Sequence, residues 1–239
     1  MANYLVGTSG WHYPHWQGKF YPPDLPKQQW LAFYAQTFST VELNNTFYRQ
    51  PLEKTVKSWR DAVPAGFKYA VKASRYITHI KRLKEVAEPV EKFFDRVRLL
   101  DNRLGPLLYQ LPPGLKRDDV RLDEFLSLLP ADLEHTIEFR HKSWLDDAVY
   151  RLLHRRNVAL CIFDLPRLRT PAIVTADFAY VRFHGNRVLY GGCYSDEELD
   201  GWAREIRGLR AGKVYAYFNN DADGFAVDNA LTLKRLLET

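Results

Sequence analysis

Three pairs of polar residues follow short apolar runs of this 239-residue chain, and the spacing within each pair suits a shared site. The pairs are Glu42 and Asn44, Glu138 and Arg140, and Arg182 and His184. Residues two apart in a β-strand lie on the same face of a sheet. If the runs are strands around one interior, two carboxylates, two guanidinium groups and an imidazole converge there. Such a set suits proton transfer and anion binding.

Glu42 poses the sharpest question, because it lies inside the apolar strand that opens the stretch TVELNNTFYRQP. A buried carboxylate is costly unless it is paired. Glu42 is therefore either a general base or metal ligand, or the partner of Arg140 or Arg182 in a buried ion pair. Glu138 has the same two explanations, although the spacing alone does not make Arg140 an easy partner for it. With His184 as the proton partner, Glu42 and Glu138 are the candidate catalytic residues.

A second set of residues at or near the strand ends provides groups that could bind a substrate. Arginine forks match phosphate or carboxylate with two parallel hydrogen bonds, and aromatic rings stack on sugars or bases. Lys72 is expected to be the charge partner of a carboxylate, and a Schiff-base role, which needs a lowered pKa, is the alternative. The candidate substrate-binding residues are Trp11, Asn44, Tyr48, Lys72, Arg140, Asp164, Arg182 and Asn219.

No cofactor is predicted from the sequence. The seven histidines are scattered, and neither HExxH nor a Cys/His zinc spacing occurs. The stretch GTSG after the first strand is too short for a dinucleotide-binding fingerprint. A divalent metal is the alternative, and its ligands would be Glu42, Glu138, Asp164 and His184.

Short strands alternate with amphipathic helices along the chain, and several strands are apolar throughout, as expected where both faces are covered. The predicted strands are Tyr4–Thr8, Thr40–Leu43, Lys68–Lys72, Pro106–Gln110, Thr136–Phe139, Val158–Phe163, Ala179–Phe183 and Val214–Phe218. Eight strands with interleaved helices predict an α/β fold, a single (β/α)8 TIM-barrel-like domain over residues 1–239. One unit, at about residues 164–178, is too interrupted by Pro166 and Pro171 for a full helix. A doubly wound open sheet is the alternative fold.

Composition and charge restrict the protein to a few classes. Hydrophobic residues make up 46% of the chain, and no run approaches the roughly twenty apolar residues of a membrane span. Two cysteines and the lack of a recognisable signal peptide favour a cytoplasmic protein. The net charge of +5 favours anionic partners, either a small anionic ligand or nucleic acid, and leaves the oligomeric state open.

Several motifs, taken in chain order, resemble the YecE-like family, also called domain of unknown function 72. The motifs are GTSGWHYPHWQGKFYP, VELNNTFYRQP, KYAVKASRYITHIKRL, LGPLLYQLPP, IEFRHKSW, YVRFHG, and VYAYFNND followed by GFAVDNA. The resemblance covers nearly the whole chain and implies a TIM-barrel-like protein whose biochemical activity is not established. The family's barrel is considered similar to those of endonuclease IV and xylose isomerase, which is an analogy of fold.

The sequence therefore predicts an enzyme or ligand binder that acts by acid–base chemistry on a small anionic or phosphorylated molecule with a sugar part. The site is expected at the C-terminal mouth of the barrel, and isomerase, lyase and hydrolase reactions all fit. One alternative is a nucleic-acid-binding protein or a metal-dependent phosphodiesterase similar to endonuclease IV. A glycosidase that uses Glu42 and Glu138 as its carboxylate pair is another. A non-catalytic accessory protein is the last alternative.

Overall fold

Eight parallel strands form a nearly closed barrel in the computed structural model, which describes residues 2–166, 168–185 and 187–238. The strands in chain order are β1 (Asn3–Thr8), β2 (Thr40–Leu43), β3 (Lys68–Lys72), β4 (Leu104–Gln110), β5 (His135–Glu138), β6 (Val158–Leu165), β7 (Leu168–Arg169), β8 (Phe178–Phe183) and β9 (Lys213–Phe218). Around the barrel they follow the order β1-β9-β8-β6-β5-β4-β3-β2, and the two-residue β7 pairs antiparallel with β6 outside that order.

Helices alternate with the strands and cover the outside of the barrel. The α-helices are α1 (Trp30–Thr37), α2 (Asn45–Tyr48), α3 (Glu53–Asp61), α4 (Ala87–Val97), α5 (Asp119–Ser127), α6 (Asp147–Arg155), α7 (Asp196–Gly208) and α8 (Ala226–Glu238). Short 3₁₀ segments lie at Pro14–Trp16, Lys27–Gln29, Arg98–Arg103 and Lys142–Trp144, and a π-helical turn lies at Tyr76–Ile80. Across the described ranges, no helix is both long enough and apolar enough to cross a membrane.

The barrel confirms the predicted fold class, and the predicted bounds of β2 and β3 match the observed ones. The doubly wound alternative is wrong, because β1 and β2, at the two ends of the strand order, meet and close the sheet. The irregular unit is confirmed too, since the described residues between β6 and β8 contain β7 but no helix. There the hydroxyl groups of Thr170 and Thr175 accept hydrogen bonds from backbone N–H groups of β6, at 2.7 Å and 2.8 Å.

The barrel closes at a seam between β1 and β2, where a side chain makes hydrogen bonds to backbone groups of both strands in place of some of the direct backbone–backbone hydrogen bonds. The two strands share an isolated parallel bridge between Ser9 and Glu42. The Tyr34 hydroxyl of α1 accepts a hydrogen bond from the Thr8 N–H at 3.0 Å and donates one to the Thr40 carbonyl at 3.1 Å. Glycine at position 7 permits this approach, since a Cβ atom there would lie 2.3 Å from the Thr40 carbonyl oxygen.

Replacement of Tyr34 by phenylalanine is expected to lower the free energy of unfolding by about 1–3 kcal/mol, because buried backbone groups of Thr8 and Thr40 lose their shared partner. Urea denaturation followed by circular dichroism measures the change. The control is Tyr4→Phe, since Tyr4 is half-buried on β1 and its hydroxyl has no hydrogen bond within the described chain. If both variants are equally stable, the hydroxyl of Tyr34 does not hold the seam.

Position along the strands divides the interior-facing residues into an apolar floor and a polar mouth. The floor consists of Leu5, Ala70, Leu108, Ala159, Cys161, Phe163, Phe178, Tyr180, Tyr215 and Tyr217, and the hydroxyl of Tyr180 reaches from it to Glu42 in the mouth. On the same strand faces, positions further toward the C-terminal ends are polar and form the mouth. Because the packed floor excludes water, charges in the mouth interact more strongly than they would in solvent.

Candidate functional site

Arg182 lies in the mouth between the two buried glutamates and joins them. Its Nη2 donates to Oε1 of Glu42 at 2.7 Å, and its Nη1 donates to Oε2 of Glu138 at 2.6 Å. Arg182 is 1% exposed, and both glutamates are 0% exposed. Of the two ion-pair partners predicted for Glu42, the structure therefore shows Arg182.

Glu42 meets hydrogen-bond donors at both of its carboxylate oxygens. Oε1 accepts from the Ser9 hydroxyl at 2.7 Å and from the Asn44 amide at 3.1 Å, and Oε2 accepts from the Tyr180 hydroxyl at 2.6 Å. Burial raises the pKa of Glu42, but Arg182 and the hydroxyl donors together outweigh burial, so the pKa lies below its usual value. Glu42 is therefore ionised at neutral pH and already has partners on both oxygens.

Glu138 pairs with both arginines, which corrects one expectation from the sequence. Nε of Arg140 donates to Oε1 of Glu138, although the two residues are only two positions apart. Residues at this spacing on a strand face are roughly 6.6 Å apart, and a long arginine side chain folds back over that distance. Burial raises the pKa of Glu138. The opposing effect of Arg140, followed by that of Arg182, is larger, so the pKa lies well below its usual range.

His184 is held as a neutral ring by two arginines. Its Nε2 lies 2.9 Å from Nη2 of Arg140 and 3.2 Å from Nη1 of Arg182. Oε1 of Glu138 lies farther away, at 3.5 Å from the same nitrogen. Guanidinium groups only donate hydrogen bonds, so the two shorter contacts assign the acceptor role to Nε2 and the ring proton to Nδ1. Nδ1 lies 3.2 Å from the terminal amide of Asn219, and a half-turn of that amide presents its oxygen to the Nδ1 proton. Burial, reinforced by Arg182, lowers the pKa of His184 to about 3.

Arg182, Glu42, Glu138, Arg140 and His184, with their hydrogen-bond partners, form a charged cluster in the mouth. Lys72 lies at the edge of this cluster and contacts β4. Its ammonium nitrogen donates to Oε1 of Gln110 at 2.8 Å and lies 4.3 Å from the centroid of the Phe47 ring. Burial, followed by repulsion from Arg182, lowers the pKa of Lys72 to about 8. The side chain is half-buried, so part of it faces the open side of the mouth.

The mouth has more positive than negative charge, and it contains polar atoms that lack a partner. The carboxylates of Glu42 and Glu138 face three cations, namely Arg140, Arg182 and Lys72. Nη1 of Arg140 has no hydrogen-bond partner among the described residues. Within the same ranges, Oδ1 of Asn44 is buried and unpaired. The arrangement therefore offers donors to an anion and an acceptor to a hydroxyl group.

Three predicted binding residues lie outside this hydrogen-bonded cluster. Trp11 packs edge-on against Trp59, with ring centroids 5.9 Å apart. Tyr48 is 73% exposed on α2. Asp164 lies opposite Arg169 in the β6–β7 ladder, and burial raises the pKa of its carboxyl group.

Three members of the cluster are absent from the predicted site residues: Ser9, Gln110 and Tyr180. Ser9 and Gln110 are polar residues at strand ends, so the rule that selects Lys72 could also have selected them. Tyr180 has the same strand parity as Arg182, but a tyrosine in an apolar strand carries no signal until its partner is known. Its partner, Glu42, is 138 positions away in the chain.

The predicted metal ligands do not come together as a coordination group. Over residues 2–166, 168–185 and 187–238, no three His, Cys, Asp or Glu side chains are placed to hold a metal ion. Guanidinium groups instead contact both oxygens of Glu138 and Oε1 of Glu42, and the Tyr180 hydroxyl donates to Oε2 of Glu42.

A separate cavity of about 380 Å³ lies on the outer side of the sheet, between β2 and β3 and the helices α3 and α4. Leu43 and Val71 contribute to its wall, and both point away from the barrel interior because they alternate with Glu42 and Lys72. None of the predicted site residues lines this cavity. The sheet therefore separates it from the charged mouth.

Comparison with known proteins agrees with the barrel and with the predicted family. A family model described as "Protein of unknown function DUF72" matches residues 5–239. The UPF0759 protein YunF of Bacillus subtilis (strain 168) is 26% identical over 268 residues, which cover 98% of this chain and 94% of that protein.

Two solved structures share the fold over nearly their whole length. The DUF72 family protein TM1631 from Thermotoga maritima MSB8 has a TM-score of 0.88 at 33% identity, covering 99% of this chain and 100% of that one. The DUF72 family protein EF0366 from Enterococcus faecalis V583 has a TM-score of 0.85 at 21% identity, covering 99% and 96%. Since the family model spans nearly the whole sequence, the chain belongs to the DUF72 family of proteins of unknown function.

Proposed function

We propose that the protein binds a small anionic, hydroxyl-bearing molecule, such as a phosphorylated sugar, in the C-terminal mouth of the barrel and acts on it enzymatically. The observation that carries this proposal is the surplus positive charge of the mouth. Arg182 balances the two glutamates together with Arg140, and Lys72 is left without a carboxylate partner in the described chain. An incoming anion compensates this charge without displacing an existing ion pair.

Three groups of the mouth that can form further hydrogen bonds indicate what the ligand must offer. Lys72 and Nη1 of Arg140 are donors that suit phosphate or carboxylate oxygens. The unpaired Oδ1 of Asn44 is an acceptor that suits a hydroxyl group. An anionic group and a hydroxyl on one small molecule satisfy all three, which favours a sugar phosphate or a hydroxy acid.

The catalytic roles of Glu42, Glu138 and His184 stay predictions, and their contacts favour different roles for them. Glu42 has donors on both oxygens and an ion pair with Arg182, so we assign it the task of positioning Arg182. Glu138 has the same task for Arg140. His184 accepts hydrogen bonds at Nε2 from Arg140 and Arg182, so it becomes a proton acceptor only if a ligand draws both guanidinium groups away from that nitrogen.

Phosphate and a hexose phosphate are expected to bind to the wild type, and Lys72→Met is expected to weaken both by roughly 10- to 100-fold, the usual effect of one charged hydrogen bond. Isothermal titration calorimetry measures the affinity, with the unphosphorylated hexose as the neutral ligand. Affinity should also fall as the pH rises through about 8, because Lys72 loses its proton there.

Lys57→Met is the matched control, since Lys57 is a half-exposed lysine on α3 and its closest acidic partner is 3.9 Å away. It should bind phosphate like the wild type. If neither phosphate compound binds, the proposal is wrong. DNA binding with a steep salt dependence, together with no response to phosphate, would instead support the nucleic-acid alternative.

A further inference from the structure

Lys72 differs from the other cations of the mouth because no carboxylate pairs with it in the described part of the chain. Its hydrogen-bond acceptor is the neutral amide of Gln110 at 2.8 Å, and its other neighbour is the face of Phe47 at 4.3 Å. Lysines that lose much of their contact with solvent are normally paired with an opposite charge. An amide and an aromatic face stabilise an ammonium group less than a carboxylate does, so this lysine releases its proton more readily.

The surrounding charges support a neutral amine at moderate pH. Burial lowers the pKa of Lys72 to about 8, and Arg182 acts in the same direction. The charged and titratable groups around Lys72 are Arg182, Glu138, Glu42, Arg140 and His79. Roughly a tenth of the molecules therefore have a neutral amine at about pH 7, against roughly one in three thousand for a lysine with the ordinary pKa.

We propose that Lys72 is an amine nucleophile and that the substrate is a small anionic aldehyde or ketone. This inference rests on the proposed function, since the anionic group is what brings the substrate into the mouth. Nη1 of Arg140 is available to hold that group while Lys72 reacts. Oδ1 of Asn44 is available to accept a hydrogen bond from a hydroxyl next to the carbonyl.

The reaction is a condensation that requires no oxidant or reductant. The neutral amine of Lys72 adds to the carbonyl carbon, and a C–N bond forms as the C=O double bond opens to give a carbinolamine. The carbinolamine then loses water, which consists of the former carbonyl oxygen and the two hydrogens of the amine, and a C=N bond remains. Once protonated, this imine withdraws electrons from the neighbouring carbon, so loss of a proton or cleavage of a carbon–carbon bond there becomes easier. These steps belong to isomerases and lyases.

The test traps the imine in the full-length protein. Glyoxylate, a small anionic aldehyde, is added with cyanoborohydride near neutral pH, and labelled peptides are quantified by mass spectrometry over time. Lys72 is expected to be labelled roughly tenfold or more faster than Lys57, because burial lowers the pKa of Lys72 to about 8 and so increases the neutral fraction of its amine. Glycolaldehyde, which is neutral, should label Lys72 more slowly than glyoxylate, and inorganic phosphate should protect Lys72.

The controls separate this inference from the proposed function. Lys72→Arg keeps the positive charge and removes the reactive amine, so it should bind phosphate and form no adduct at position 72. Labelling of Lys72 no faster than that of Lys57, or labelling that bound phosphate leaves unchanged, would overturn the inference. If phosphate binds and no Lys72 adduct forms, this inference alone fails. If phosphate does not bind, both the proposed function and this inference fail. Phosphate binding to the wild type and labelling of the wild type are enough to distinguish these outcomes, so no variant has to fold.

Discussion

Arg182→Met should lower the free energy of unfolding by about 3–5 kcal/mol, the usual cost of removing one partner of a buried ion pair. The side chain of methionine fills most of the space, so loss of charge dominates over loss of packing. Two carboxylates that are 0% exposed would then lack their shared cation. Urea denaturation at neutral pH measures the change.

Two further variants make this first prediction specific. Arg98→Met removes an arginine that, like Arg182, donates two hydrogen bonds to carboxylate oxygens, but both go to Asp132, at 2.8 Å and 3.1 Å, on the surface. Its cost should stay within about 1 kcal/mol. Adding Glu42→Gln to Arg182→Met should recover part of the lost stability, because one uncompensated charge disappears. A cost for Arg182→Met no larger than that for Arg98→Met would show that the glutamates do not depend on Arg182.

Acidification is expected to destabilise the protein through His184 before the glutamates titrate. The pKa of His184 is about 3 in the folded protein and about 6.5 in the unfolded chain, so between these values the unfolded chain binds more protons. Stability from this group is complete above about pH 6.5 and declines by about 1.4 kcal/mol per pH unit as the pH falls toward 3. Burial, followed by Arg182, is the cause.

His184→Gln tests this second prediction, since glutamine offers an oxygen to the guanidinium groups and does not titrate. From about pH 7 to about pH 5, the wild type should lose about 2 kcal/mol more than the variant in urea denaturation. Burial also lowers the pKa of His135, to about 4, but that residue is unchanged in both proteins and its contribution cancels. His154→Gln, at an exposed position of α6, should retain the steeper wild-type dependence. Identical pH dependence in the wild type and His184→Gln would mean that His184 is not buried in its neutral form.

The strands and the polar face could be predicted because both depend on local patterns. Thr40–Leu43 and Lys68–Lys72 are short runs of strand-forming residues, and their bounds agree between sequence and structure. Alternation along a strand places Glu42 with Asn44 on one side, and Arg182 with His184 on one side. Those pairings follow from the backbone geometry of a single strand, so no tertiary information is needed.

Only the closed barrel decides which of these groups meet. Glu42 and Arg182 are 140 positions apart, and they pair because β2 and β8 both direct these side chains into the shared barrel interior. The seam that places β1 beside β2 depends on Tyr34, a helix residue with no local signal for that role. The contact between Glu138 and Arg140 was not predicted either, because it depends on a side-chain conformation of Arg140 that the surrounding groups select.

The sequence by itself determined a (β/α)8 barrel with acids, arginines, a lysine and a histidine around its mouth. The tertiary structure decided how their charges combine: Arg182 neutralises the glutamates with Arg140, His184 stays neutral between the arginines, and Lys72 is left facing an amide. The physical reason is that the interaction energy between two buried charges depends on their distance, and the pKa of a buried group depends on its desolvation and on the charges near it. Both arise only when residues distant in the chain are packed together.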